Sequence, residues 1–417
     1  MTATHHTTAE IAKLARVLEL SDPAELDFLA ELPPAAIRAF RDQVGDLISR
    51  REARRMQRIG AAAKLVPAAV AAKVTESAFG PVLAAAVAGS VDPARAVAIA
   101  GSLSPAFLAD ATVTLDPHRA TDVIAHVPTK MAAAVARELI RRGDYLTMGR
   151  LAGSVPDAAL RAALPHAADI DLLHVGYYLE DTSAADRLLA IVADRIPGML
   201  RATHTEGQWA EAITLLDLLG PAERSRIGDL AAAQDDELID GLLTAVEELD
   251  AWDTLLPVAA GMTPTSLHRL AQRPLLHNPD TLGTILTTTA GHNLWPQFLP
   301  LLDALPAETH PALATTIATL TDDQFQAALT ACPTSDSLPT LLDLVLRQDD
   351  AARARSLTLL DNSPDLESLI AALPATETPM WERLRDLRTE IPTRTMTLLA
   401  TRAAQCGLTD ISDQLTA

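Results

Sequence analysis

At 417 residues the chain is too long for one ordinary hydrophobic core, so it calls for several domains or an extended repeat array. Ala, Leu and Val supply most of its 48% hydrophobic content and aromatics only 3%, a balance of helix formers over strand formers that excludes a β-rich fold. The formal net charge is −20; residues 201–417 hold 13 basic and 31 acidic residues and no lysine, which disfavours nucleic acid as a partner of that half.

The N-terminal stretch "MTATHHTTAEIAKLARVLEL" has no basic run followed by an uninterrupted apolar run, so no secretory signal is expected. "LSDPAELDFLAE" begins at Leu20 and "LPPAAIRAFRDQ" at Leu32, which read as two copies of a 12-residue unit. "SRREARRMQR" (49–58) then sets Arg50, Arg51, Arg54, Arg55 and Arg58 against a single Glu52. On a helix Arg51, Arg54, Arg55 and Arg58 share one face. Such a run is ordinarily a solvated or intramolecular face; the sharper reading is a dock for an acidic partner or an anionic membrane surface. Residues 61–90 are the strongest membrane-span suspect. They are mostly Ala and are interrupted by Lys64, Lys73, Glu76, Pro67 and Pro81. A span needs roughly 20 predominantly apolar residues, so they are read as buried repeat instead.

The 12-residue unit is plainest between Val91 and Glu138. "VDPARAVAIAGS", "LSPAFLADATVT", "LDPHRATDVIAH" and "VPTKMAAAVARE" open at Val91, Leu103, Leu115 and Val127, and "FGPVLAAAVAGS" opens one unit earlier at Phe79. Asp92, Ser104 and Asp116 are N-caps, and the prolines behind them suit the first helical position, where no N–H is needed. The residue before each proline is pushed out of the helical region, which ends the preceding helix. Helices this short hold only when stacked.

Residues 143–208 read as transitional, with Tyr145 opening a weaker copy of a longer unit. That unit is marked by Trp209, Trp252, Trp295 and Trp381, spaced 43, 43 and 86, with Leu338 in the vacant place. Pro221, Pro264, Pro306 and Pro392 follow their markers by 11 or 12 residues, and polar caps such as "QDDELIDGLL" and "TDDQFQAALT" open a further helix. Each unit is expected to hold three short helices, with the Trp as packing anchor. The domain reading is 1–60, 61–142, 143–208 and 209–417.

The "LDP…L" and "LP…" punctuation of residues 79–140, and of 20–45, resembles the cytoplasmic N-terminal domain of MgtE-type magnesium transporters and the related repeats of the flagellar motor switch protein FliG. The resemblance implies a superhelix of short helices and, in the transporters, an acidic magnesium-sensing surface. This chain departs from them in showing no transmembrane bundle. No acidic motif matches position by position, so no metal ligand is carried over.

No motif assigns catalysis, a cofactor or a metal. The eleven histidines lack ligand spacing, and no nucleophile elbow or phosphate loop is present. Cys332 and Cys406 form no pair with metal spacing and suit a reducing compartment. Asp235-Asp236 and Asp322-Asp323 occupy matching repeat positions and read as N-caps.

The expected fold is all-α: a solenoid of short capped helices followed by HEAT-like 43-residue repeats. The expected function is a non-catalytic cytosolic scaffold binding a protein partner. The alternative is a peripheral lipid-surface or hydrophobic-ligand protein using the Arg50–Arg58 segment and neighbouring apolar helices. An enzyme with a site assembled across repeats is the third class.

Overall fold

The computed structural model describes the backbone of residues 2–416 except 64, 333–336 and 375–377; the side chains of 2–4, 48–55, 57, 63, 378–379 and 416 also lie outside the description. Every element among the described residues is a helix or helical turn. The chain divides into two compact units, Met1–Gly220 and Pro221–Ala417, and the division falls inside the first Trp-marked repeat.

In the first unit the 12-residue punctuation is realised as drawn. Pro93–Ala100, Pro105–Thr114 and Pro117–Ala125 are separate helices with proline at their starts. Asp92 accepts from the Arg95 N–H (3.2 Å), Ser104 from Phe107 (3.3 Å) and Asp116 from His118 (3.0 Å). Each helix packs on its next-but-one neighbour: Ala68–Val74 on Pro93–Ala100 and then Pro117–Ala125, Gly80–Ala88 on Pro105–Thr114 and then Thr129–Arg142. Two rows result.

The upstream copies behave differently. Asp22 caps a 3-10 turn, Pro23–Leu29, as its sequence suggests. The unit at Leu32 is no short helix: Pro34–Ala63 runs for 30 residues. The reason is the missing punctuation, since no proline interrupts the chain between Pro34 and Pro67.

A buried ion cluster pins the start of that long helix. Glu10 and Lys13, on the N-terminal helix Thr2–Val17, are 2% and 1% exposed, and Arg41 is 6% exposed. Lys13 Nζ donates to Glu10 Oε1 (3.0 Å) and to the Leu179 carbonyl (3.0 Å). Arg41 donates to Glu10 Oε2 (3.0 Å) and clasps both carboxylate oxygens of Glu180, while Arg38 reaches Glu10 at 2.9 Å. Burial pushes the Glu10 carboxyl up, but Lys13, Arg38 and Arg41 together outweigh it and hold it below the usual carboxylate range. Burial draws the Lys13 ammonium down against the pull of Glu10 and Glu180, so the two partners point opposite ways on the strength of their pair. Three cations surround the Glu10 carboxylate, whereas Lys13 has one carboxylate at 3.0 Å and a second at 3.7 Å.

In the second unit, repeats of three helices follow the 43-residue lattice, for example Trp252–Ala260, Pro264–Ala271 and Pro279–His292. The anchors are buried: Trp209 (in the first unit) 6%, Trp252 0%, Trp295 2%, Leu338 2% and Trp381 0% exposed. The first four open their helices, whereas Trp381 is the fourth residue of Thr378–Asp386. Trp252–Ala260 packs on Trp295–Ala304, and Leu338–Leu346 on Thr378–Asp386. Trp252 Nε1 donates to Glu247 (2.6 Å) and Trp381 Nε1 to the Pro374 carbonyl (3.0 Å), while the Trp295 N–H has no hydrogen-bond partner.

Polar staples join equivalent helices of successive repeats. Asp229 accepts from both the Thr263 N–H and hydroxyl at 2.9 Å, and Asp361 does the same for Thr395 at 2.9 and 2.7 Å. Both caps reach 34 residues ahead. The acidic pairs need a one-residue correction. Asp235 does cap Leu238, but in the later repeat the cap is Thr321, backed by Gln324. Asp236 and Asp322 are the true equivalents, and each holds an arginine 33 residues on, Arg269 and Arg355. The lattice step of 86 aligns Asp236 with Asp322, not Asp235 with Asp322.

Candidate functional site

The Ala-rich stretch expected to be buried is not. Of residues 61–90, the described ones that are buried are Ala71, Ala72, Ala85 and Val87. The others face solvent or the hollow between the two helix rows. That hollow is a cavity of about 610 Å³, within the range of small-molecule sites.

Both rows line it. Val70, Val74, Ile99 and Ile124 come from one, and Leu108, Ala111, Met131 and Val135 from the other. Ile59 and Ala62, at the end of the helix Pro34–Ala63, contribute as well. Small side chains explain the volume. Arginine staples tie the helices around it: Arg142 donates to the Ala106 carbonyl, and Arg150 to those of Val113 and Leu115. Alanine methyls are too short to fill the space so framed, and interiors otherwise pack without such voids. A second void of about 130 Å³ shares Met148, Ala152, Leu160 and Val175 with the first.

Among the lining residues no side chain is titratable, and the polar ones are Thr75 and Thr112. The Thr112 hydroxyl already donates to the Ala109 carbonyl (2.7 Å). The lining therefore offers apolar contact and no acid, base or nucleophile to a bound molecule.

The mouth is apolar too. Val66, Val70, Val74 and Phe79 line the cavity and are also 40–48% exposed. Val70 and Val74, four residues apart on Ala68–Val74, share one face of that helix, and Val66 lies just before it. A π-turn at Thr75–Phe79 and Gly80, at φ +73°, break the helical path beside it. By length and composition alone, Ala68–Ala88 is apolar enough to cross a membrane, with 22% buried inside the protein.

The basic segment sits on this site in sequence. Helix Pro34–Ala63 carries Ser49–Arg58 immediately before Ile59, the first cavity-lining residue. Arg58 is exposed; the side chains of Arg50, Arg51, Arg54 and Arg55 lie outside the described residues.

Other candidates disperse. His174 pairs with Glu211 (2.6 Å) and His310 with Asp343 (3.2 Å). Among the described residues no group of three His, Cys, Asp or Glu could hold a metal ion. Cys332 is 1% exposed, and burial, with Asp303 adding, pushes its thiol up to about 12, far from a nucleophile's range. The Cys406 thiol donates to the Leu373 carbonyl at 3.9 Å.

Sequence reasoning joined the Arg segment and the neighbouring apolar helices in its alternative reading but read the stretch 61–90 as buried and missed the cavity. The signal was present: runs such as "AVAIA" and "AAAVA" place mostly Ala, with Val and one Ile, where a filled core needs Leu or Phe. Compared with family models, curated proteins and solved structures, the chain matches none.

Proposed function

We propose that this is a non-catalytic helical-repeat protein whose first unit binds an apolar ligand between its two rows of short helices. One observation carries the reading: a cavity of about 610 Å³ with no titratable lining side chain. Burying ten methylenes there contributes about 8 kcal/mol before the costs of binding, so micromolar affinity calls for a chain longer than about ten methylenes. With no buried polar anchor, a head group stays at the mouth, so the ligand class is an amphiphile with a flexible hydrocarbon chain. Native mass spectrometry of the purified full chain, with displacement of a fluorescent fatty-acid probe, tests this. Saturable displacement that Ala100→Phe with Ala132→Phe abolishes supports it; wild-type chain that neither carries nor takes up an amphiphile overturns it.

A second reading, a scaffold for a protein partner, is favoured by the surplus of acidic residues in the 209–417 array. A basic partner suits that charge. Its binding would weaken steeply with salt, and an affinity unchanged by salt would exclude it.

A further inference from the structure

We infer that the mouth of the cavity docks on an anionic membrane surface, which supplies the amphiphile. The source of the ligand rests on the reading above; the docking stands on separate observations. Leu65, Val66, Val70, Val74, Phe79 and Val82 are 88, 40, 48, 40, 41 and 56% exposed. Six large apolar side chains in 18 residues, four of them continuous with the cavity wall, form a surface that a soluble monomer rarely leaves uncovered.

Charge selects the occupant. Ser49–Arg58 carries five Arg and one Glu in a chain of net charge −20, and it precedes the cavity lining by one residue on a continuous helix. Basic residues near an anionic bilayer contribute about 1 kcal/mol each. A second copy of this chain also carries a surplus of acidic residues, so self-association that the apolar-to-Asp variants dissociate is the competing outcome of the test. The combination of a cationic segment and an apolar surface is that of proteins that lie in the membrane interface.

Interfacial docking fits better than spanning. Lys73 and Glu76 fall inside Ala68–Ala88, and Glu76 accepts from the Ser104 hydroxyl (2.9 Å), a contact with the neighbouring row. Inserting the stretch would bury both charges and strip that contact. The break at Gly80 also divides the stretch into two short helices.

Flotation of the full chain on phosphatidylcholine vesicles, with and without phosphatidylglycerol, tests the inference. Binding should require the anionic lipid and fall with salt. Arg51→Glu with Arg55→Glu should weaken it at least about thirtyfold. Val70→Asp with Phe79→Asp, both at exposed positions, should abolish it while circular dichroism and melting stay unchanged. Absence of flotation on anionic vesicles overturns the inference. So does equal flotation on neutral vesicles, or a dimer that the Asp variants dissociate. Ala100→Phe with Ala132→Phe separates the two proposals: it should keep flotation and lose the amphiphile. Wild-type chain that floats but never carries an amphiphile leaves docking standing and removes the ligand reading; the converse removes docking alone.

Discussion

Two helices of similar length show how differently the two repeat classes pack. Pro93–Ala100, in the short-helix stack, has no buried residue, whereas Trp252–Ala260, in the Trp-marked array, buries six of nine: Trp252, Thr254, Leu255, Leu256, Val258 and Ala259. Both are amphipathic and stacked on neighbours, so secondary structure does not separate them. Side-chain volume does. Indole and leucine fill the space that stacking creates, and alanine leaves it open. One class spends its sequence on a core and the other on a container.

The contrast can be broken by swapping volume. Trp252→Ala should cost about 3–5 kcal/mol, read from the denaturant midpoint, because a fully buried indole leaves a void its neighbours cannot close. A loss below 1 kcal/mol would show that the array packs as loosely as the stack. Glu10→Gln tests whether the stack relies on polar clamps where the array relies on its core. It should cost about 3–5 kcal/mol near neutral pH, because Lys13 and Arg41 stay buried with less to pair. The sign follows from linkage. The Glu10 carboxyl lies below its ordinary 4.5 in the folded state, so its contribution is full above that pH and vanishes as the pH falls through the depressed value. Wild type and variant should therefore converge in acid, and parallel pH profiles would remove Glu10 from the account.

Gly149→Ala should cost about 1–3 kcal/mol, since a Cβ there would meet the Val175 carbonyl at 2.6 Å and the Tyr178 backbone at 2.6–2.7 Å, atoms that cannot rotate away. This close approach brings Tyr145–Ala152 against Asp169–Tyr177. Asp361→Ala should cost about 1 kcal/mol by uncapping Thr395, measured by thermal melting. The smallest effect should come from Ala100→Leu, at a partly exposed cavity wall, which should shift stability by less than about 1 kcal/mol because the added methylenes enter open space. A loss of several kcal/mol would mean that the wall is packed and the container reading fails.

Much of the fold was legible because its signals are local. Asp92-Pro93, Ser104-Pro105 and Asp116-Pro117 announce helix starts within two residues, and the Trp lattice needs only counting. The exceptions have local causes as well. The unit at Leu32 grew into a 30-residue helix because no proline or cap stopped it. Asp322-Asp323 was off the lattice by one residue, so Thr321 took the cap. The candidate site was less legible. The Arg segment and the apolar stretch each stood out, yet their neighbourhood at one cavity depends on how two helix rows are spaced.

Composition and punctuation alone therefore determined that this chain is all-α, where most helices begin, and that Trp209, Trp252, Trp295, Leu338 and Trp381 are buried at a fixed period. Each depends on a side chain acting within a few residues or at a fixed period. Tertiary structure alone decided that Glu10, Lys13, Arg41 and Glu180 meet, that Asp229 and Asp361 cap helices 34 residues on, and that the alanines of residues 84–136 enclose a cavity rather than a core. Those outcomes depend on distances between segments remote in the chain, which are set by the packing of every helix between them.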